Sequence, residues 1–204
     1  MKKRNPKAKT PATNANASGQ VRLIGGDWRG RKLPVLAAKG LRPTSDRVRE
    51  TLFNWLQMSL PGARCLDAFA GTGSLGFEAL SRGAASVTFL ELSEQAARQL
   101  RDNAALLKTD RAEVVQTNSL AWLAHSDGQR FDGVFLDPPF HQGLMQPAVD
   151  ALFANQALNL NDQAWLYLEQ EKDQAWPKLP EGWYCHREKS TSQVRYGLFQ
   201  LLGS

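Results

Sequence analysis

The stretch LDAFAGTGSLGFEAL, from Leu66 to Leu80, constrains this chain more than any other. An apolar run ends on Asp67, and Gly71, Gly73 and Gly76 follow in the spacing G-x-G-x-x-G as a helical pattern begins. Glycine lets the backbone turn sharply and lets a ligand approach the main chain, so a strand, a tight loop and a helix are expected in that order. The rhythm continues downstream: the apolar runs CLDAF, SVTFLE, AEVVQ, GVFLD and AWLYLE alternate with helical stretches over 74–82, 94–107, 120–124 and 145–154. That alternation predicts a parallel sheet with helices on both faces. WYCHREKS and VRYGLFQLL are separated by a short polar link, so an antiparallel hairpin should complete the sheet. The expected fold is α/β and Rossmann-like, mostly parallel, with an antiparallel C-terminal hairpin.

A chain of 204 residues is long enough for one well-buried domain with a small appendage. No run approaches the length of a membrane span, and the charged start of residues 1–20 has no apolar segment after it. Export is therefore not expected, and a cytoplasmic location is. Cys65 and Cys185 form no metal-ligand pattern and in a reducing compartment read as buried small residues rather than a disulfide; His125, His141 and His186 show no ligand spacing either, so no metal is expected.

Charge is segregated along the chain. Residues 1–49 hold thirteen Lys or Arg against Asp27 and Asp46, net +11, whereas the remainder holds twelve against eighteen acids, net −6. A basic arm on a mildly acidic body suits a polyanionic partner, the alternative being a tail that only solubilises. Residues 1–19 read as a disordered basic tail, because they contain almost nothing to bury. Order is expected to begin near Val21. VRLIGGDWRGRKLPV then predicts two short strands around a glycine-containing turn, a β-hairpin within residues 20–43 decorated by Arg22, Arg29, Arg31 and Lys32. Trp28 could stack on a base or anchor the hairpin to the body. Thr44 or Ser45 should cap a helix carrying Val48, Leu52, Trp55 and Leu56, which opens the main domain over 44–204.

The glycine spacing formally fits a dinucleotide, with Glu91 at the end of the next strand holding ribose hydroxyls. Asp67 argues otherwise. A carboxylate beside the loop repels a pyrophosphate and attracts a cofactor bearing an amine and a sulfonium, namely S-adenosylmethionine. A second strand ends on an acid in FLDPPF, residues 135–140, where two prolines and an aromatic follow Asp137. Asp and Pro are also ordinary turn residues, so this segment alone does not decide its own role.

LDAFAGTGSLGFEAL, FLELS and DPPF, in that order, resemble three motifs of the class I S-adenosylmethionine-dependent methyltransferases. The last is similar to the D/N-P-P-F/Y/W motif of those that methylate exocyclic amines. With IGGDWRGRKL, RPTSDRVRETLFNWL and the late RYG, nearly everything after Gln20 resembles the bacterial small-subunit (16S) ribosomal RNA guanine-N2 methyltransferase family. The resemblance implies that residues 44–204 are a catalytic domain and that the 20–43 hairpin binds RNA through Arg22, Arg29, Arg31 and Lys32. It places the cofactor's methionine end near Asp67 and the loop Phe69, Ala70, Gly71, Thr72 and Gly73, its ribose on Glu91 and its adenine against Leu92. Many relatives carry an aspartate in the third motif, where VVQTNSLAWL offers Asn118 and Ser119; Asn118 can still accept through its carbonyl. Glu91 could instead be a strand-end surface acid, and Asn118 a helix N-cap.

DPPF then makes chemical sense. An exocyclic amine is a poor nucleophile because its lone pair is delocalised into the ring. Acceptors that hold both its protons, the Asp137 carboxylate and the Pro138 carbonyl, orient the nitrogen for in-line attack, and the prolines fix that geometry beforehand. Phe140 offers a face on which an extruded base can stack. The implied substrate is a guanine in small-subunit ribosomal RNA, in a partly or fully assembled particle. The same chemistry would serve a DNA adenine-N6 methyltransferase, but no sizeable segment for reading duplex sequence is present. A non-catalytic nucleic-acid-binding module does not account for the intact motifs, and a nicotinamide-dependent oxidoreductase leaves Asp67 and DPPF unexplained.

Overall fold

The computed structural model describes residues 17–36, 44–126, 128–155 and 159–202. Residues 1–16, most of the expected tail, and residues 37–43, the end of the expected hairpin segment, lie outside the described residues.

Strands β1 (Ala17–Arg22) and β2 (Lys32–Leu36) form a separate antiparallel pair. Order begins earlier than Val21 because the pairing extends back to Ala17, opposite Leu36. Helix α1 (Asp46–Trp55) follows, and of its two candidate caps Ser45 takes the position, its side chain accepting from the Val48 N–H. The alternating elements are β3 (Arg64–Asp67), α2 (Ser74–Ser81), β4 (Ser86–Glu91), α3 (Glu94–Leu107), β5 (Ala112–Gln116), α4 (Ser119–His125), β6 (Arg130–Leu136), α5 (Met145–Ala154) and β7 (Asn159–Glu171). The chain closes with β8 (Trp183–Ser190) and β9 (Val194–Leu201).

The main sheet has the order β5-β4-β3-β6-β7-β9-β8, parallel from β5 through β7. The last strand inserts between β7 and β8, antiparallel to both. Successive residues of β6 serve opposite faces: Phe135 joins the layer beneath α1, α2 and α3, while Val134 and Leu136 join the layer beneath α4 and α5. This two-sided burial explains why the runs read as continuous apolar segments rather than alternating ones. Because β3 and β4 lie on one side of the crossover and β6 on the other, the carboxyl ends of these strands frame the crevice where ligands bind in open α/β sheets.

The β1–β2 hairpin is fastened to α2. The N–H groups of Ile24 and Gly25 donate to Glu78 at 2.8 Å each, the Asp27 N–H to the Ser81 carbonyl at 2.7 Å and the Trp28 N–H to Ser81 Oγ at 2.9 Å. Glu78 is fully buried and also faces Arg82 at 2.7 Å and Arg49 at 3.9 Å, so its charge is shared among two guanidinium groups and two amides. Leu23 and Leu33 enter the main core, and Trp28 packs against it with Arg111 over its ring at 5.4 Å. Trp28 is therefore an anchor. Among the described residues no helix is long and apolar enough to cross a membrane. Cys65 is buried as expected; Cys185 is exposed on β8, the last strand of the sheet, paired with β9.

Candidate active site

A cleft of about 1030 Å³ opens over the carboxyl ends of β3, β4, β6 and β7. Phe69, Ala70, Gly71, Thr72, Glu91, Leu92, Asn118 and Ser119 line one part of it, and Asp137, Pro138, Pro139 and Phe140 another. The three motifs distant in sequence thus share one wall, because β4, β3 and β6 are neighbours in the sheet.

Glu91 shapes the first part. Its carboxylate accepts the Gly71 N–H at 2.9 Å and the Ser93 N–H at 2.8 Å, which ties the glycine loop to the end of β4. Leu92, next in the chain, is 66% exposed at the cleft, an apolar face suited to a flat ring. Asn118 caps α4, accepting from the Ala121 N–H at 3.1 Å, while its side chain stays exposed to the cleft. Gly73 sits at the N-terminus of α2 with φ of 73°, behind the loop rather than on the cleft.

Asp67 lies behind the glycine loop rather than on the cleft surface. It is 1% exposed, does not line the cleft, and accepts the Gly76 N–H at 3.0 Å. Gly76 is needed for that approach, since a Cβ there would lie 2.9 Å from the Asp67 carboxylate and 2.2 Å from the Phe89 ring. Burial, only partly offset by the Gly76 hydrogen bond, lifts its pKa to about 7, with Glu91 adding to the rise.

Asp137 lies beside two other acids, Asp67 and Glu169. Its Oδ1 is sealed from solvent and has no hydrogen-bond partner. Burial first, then the charges of Asp67 and Glu169, hold its pKa well above the usual carboxylate range. Four acids, Asp67, Glu91, Asp137 and Glu169, therefore converge where three of them face the cleft. Such a pocket favours a cation and an N–H donor, and both stabilise the ionised form of Asp137.

The matching family profile, described as "Conserved hypothetical protein 95", covers residues 21–200. The chain is 49% identical to ribosomal RNA small subunit methyltransferase D of Escherichia coli (strain K12), over 92% of this chain and 93% of that protein. It is 53% identical to the protein of the same name from Haemophilus influenzae, over 91% and 96%. The chain belongs to this methyltransferase family. A solved structure titled as a putative methyltransferase, yhhF, from Escherichia coli superposes with a TM-score of 0.83 at 46% identity, covering 91% of this chain and all of that one.

In this member of the methyltransferase D family the four basic hairpin residues lie away from the cleft lining, and they differ among themselves. Arg22 pairs with Asp46 at 3.2 Å, and the Arg31 guanidinium donates to the Leu106 carbonyl at 2.9 Å at the end of α3. Arg29 and Lys32 are exposed. Sequence reasoning missed Glu169 and Tyr167. Tyr167 is buried and donates its hydroxyl to Glu169 at 2.6 Å, and Glu169 lines the cleft beside Asp137. A signal was present: AWLYLE, like the runs before Asp67, Glu91 and Asp137, ends on an acid. His141, with φ of 62°, is an exposed loop residue at the cleft whose N–H donates to Glu171.

Proposed function

We propose that this chain transfers a methyl group from S-adenosylmethionine to the exocyclic N2 amine of a guanine in small-subunit ribosomal RNA, within an assembled particle in the cytoplasm. The observation that carries the reading is Asp137, which lines the same cleft as the glycine loop and Glu91, begins a rigid Pro-Pro loop and has a buried carboxylate oxygen, Oδ1, without a hydrogen-bond partner. The residues present fit the cofactor. Glu91 would hold its ribose, Leu92 its adenine, and the Phe69–Gly73 loop its amino-acid end, against a cluster of acids that favours a cation. When bound, the cofactor supplies a methyl group already activated by its sulfonium, so the reading needs no metal.

The chain's own residues do the rest. Asp137 and the Pro138 carbonyl hold the amine's two protons and turn its lone pair toward the methyl group. Asp137 then takes the proton the nitrogen sheds, a role suited to a carboxyl whose pKa is raised. Phe140 stacks on the base, and the hairpin, held rigidly by Glu78, contacts RNA phosphates through Arg29 and Lys32. The relatives' names point to RNA and away from the DNA adenine alternative.

The test uses labelled S-adenosylmethionine with small-subunit particles from cells lacking the enzyme, set beside unmethylated duplex DNA. Label in the ribosomal RNA is expected. Label in the DNA alone, or in neither, would overturn the reading.

A further inference from the structure

β6 and β7 run parallel with Leu136 opposite Leu168, so Asp137 and Glu169 are the next residues along neighbouring strands. In-register neighbours point to the same face of a sheet, and both line the cleft. Tyr167, two residues earlier on the same face, donates its hydroxyl to Glu169 Oε2 at 2.6 Å and fixes the carboxyl group. The carboxyl cannot swing as a surface acid would, because only 7% of the residue is exposed.

We infer that Glu169 is a specificity-determining residue, accepting the ring N1–H of the target guanine while Asp137 accepts from the adjacent N2 amine. The inference rests on the guanine-N2 reading above. Guanine presents N1–H and N2–H side by side, two donors on one edge, and two neighbouring carboxylates present the matching acceptors. Adenine has a lone pair at N1, which would face the Glu169 carboxylate and be repelled. The pair therefore accounts for selection of guanine by a loop that could orient any exocyclic amine. Unlike Asp137, Glu169 need not exchange a proton in the reaction.

The decisive probe is 2,6-diaminopurine, which keeps the 2-amine but has no N1–H. Small-subunit particles are reconstituted with guanine or with 2,6-diaminopurine at the methylated position, and kcat/KM is measured on each. The wild-type protein should prefer guanine by about tenfold to a hundredfold, the usual worth of one well-placed base contact. Glu169→Gln, whose amide can donate to N1, should narrow or reverse that ratio, and Tyr167→Phe should narrow it less. A general loss of folding would lower both rates and leave the ratio unmoved. Equal wild-type rates on the two bases overturn the inference without any variant, as does a Glu169→Gln ratio equal to that of the wild type, while the guanine-N2 reading stands in both cases. No N2 methylation of guanine at all overturns the reading and the inference with it.

Discussion

Replacing Gly26 by alanine should undo the seat of the N-terminal hairpin on α2, at a cost that follows from the geometry. Gly26 has φ of 73°, and a Cβ there would lie 1.7 Å from the Ser81 carbonyl oxygen. Backbone cannot yield as a flexible side chain can, so the turn must lift from α2. The left-handed conformation costs about 1–2 kcal/mol for an L side chain. Lifting also strains the hydrogen bonds from Asp27 N to Ser81 O and from Trp28 N to Ser81 Oγ, each worth about 0.5–1.5 kcal/mol. The expected destabilisation is about 2–5 kcal/mol. Gly30→Ala is the control: its φ is 83°, yet nothing lies within 4 Å of the new Cβ, so only the conformational cost of about 1–2 kcal/mol applies. Both substitutions stiffen the unfolded chain alike, which cancels in the comparison. Urea unfolding gives the two values, and hydrogen exchange at the Leu23 amide, which donates to the Arg31 carbonyl, reports the hairpin directly. Equal destabilisation by the two alanines would refute the claim that contact with α2 holds the hairpin.

Glu91→Ala should weaken cofactor binding by about 1–3 kcal/mol, or about fivefold to 150-fold, by leaving ribose hydroxyls and the Gly71 N–H without an acceptor; calorimetry with an unchanged affinity would remove Glu91 from the site. Asp67 has a folded pKa near 7 against about 3.9 unfolded, so its contribution to stability is complete below about pH 4 and is lost as pH rises toward 7. Asp67→Asn should flatten that part of the stability profile in urea melts from pH 4 to 8, and an unchanged slope would contradict the burial argument. Changing Arg29 and Lys32 together to alanine should weaken RNA binding and reduce its log–log salt slope by about 0.7 to 0.9 for each phosphate left without its cation, with cofactor binding intact; a salt series showing the same slope would place the RNA elsewhere. Adding Arg31→Ala should also cost stability, since that side chain closes the end of α3.

Much of the fold was legible because strand burial, glycine loops and acids at strand ends leave local marks. The run before Asp67, the spacing of Gly71 and Gly73, and DPPF each announce a strand-to-loop junction, and their order along the chain fixes a crossover sheet. Less legible was anything decided between elements. Asn118 and Ser45 look alike as polar residues before helices, and nothing local shows that both caps also line the cleft. Arg31 and Arg29 are two residues apart in a basic run, yet one reaches a carbonyl 75 positions away. Glu78 reads as an acid within a helix, and nothing local shows that its carboxylate receives the hairpin's amides. Asp67 was found by its motif, but its burial beneath Gly76 follows from packing rather than spacing. The length of β7 was underestimated for a similar reason: Asn159 and Leu160 pair with Arg130 and Phe131 ahead of a register shift, outside the apolar run.

On the proposed function, Asp137 holds the target amine and does not hold the cofactor. Nucleoside mass spectrometry on small-subunit particles from a deletion strain, treated with wild-type protein or with Asp137→Ala, separates the two roles when run alongside calorimetry of S-adenosylmethionine binding to each. N2-methylguanosine should appear with the wild type and be absent with Asp137→Ala, while the two proteins bind the cofactor with nearly the same affinity. Retained N2-methylguanosine with Asp137→Ala, or loss of cofactor binding in its place, would mean that Asp137 does not act on the target amine.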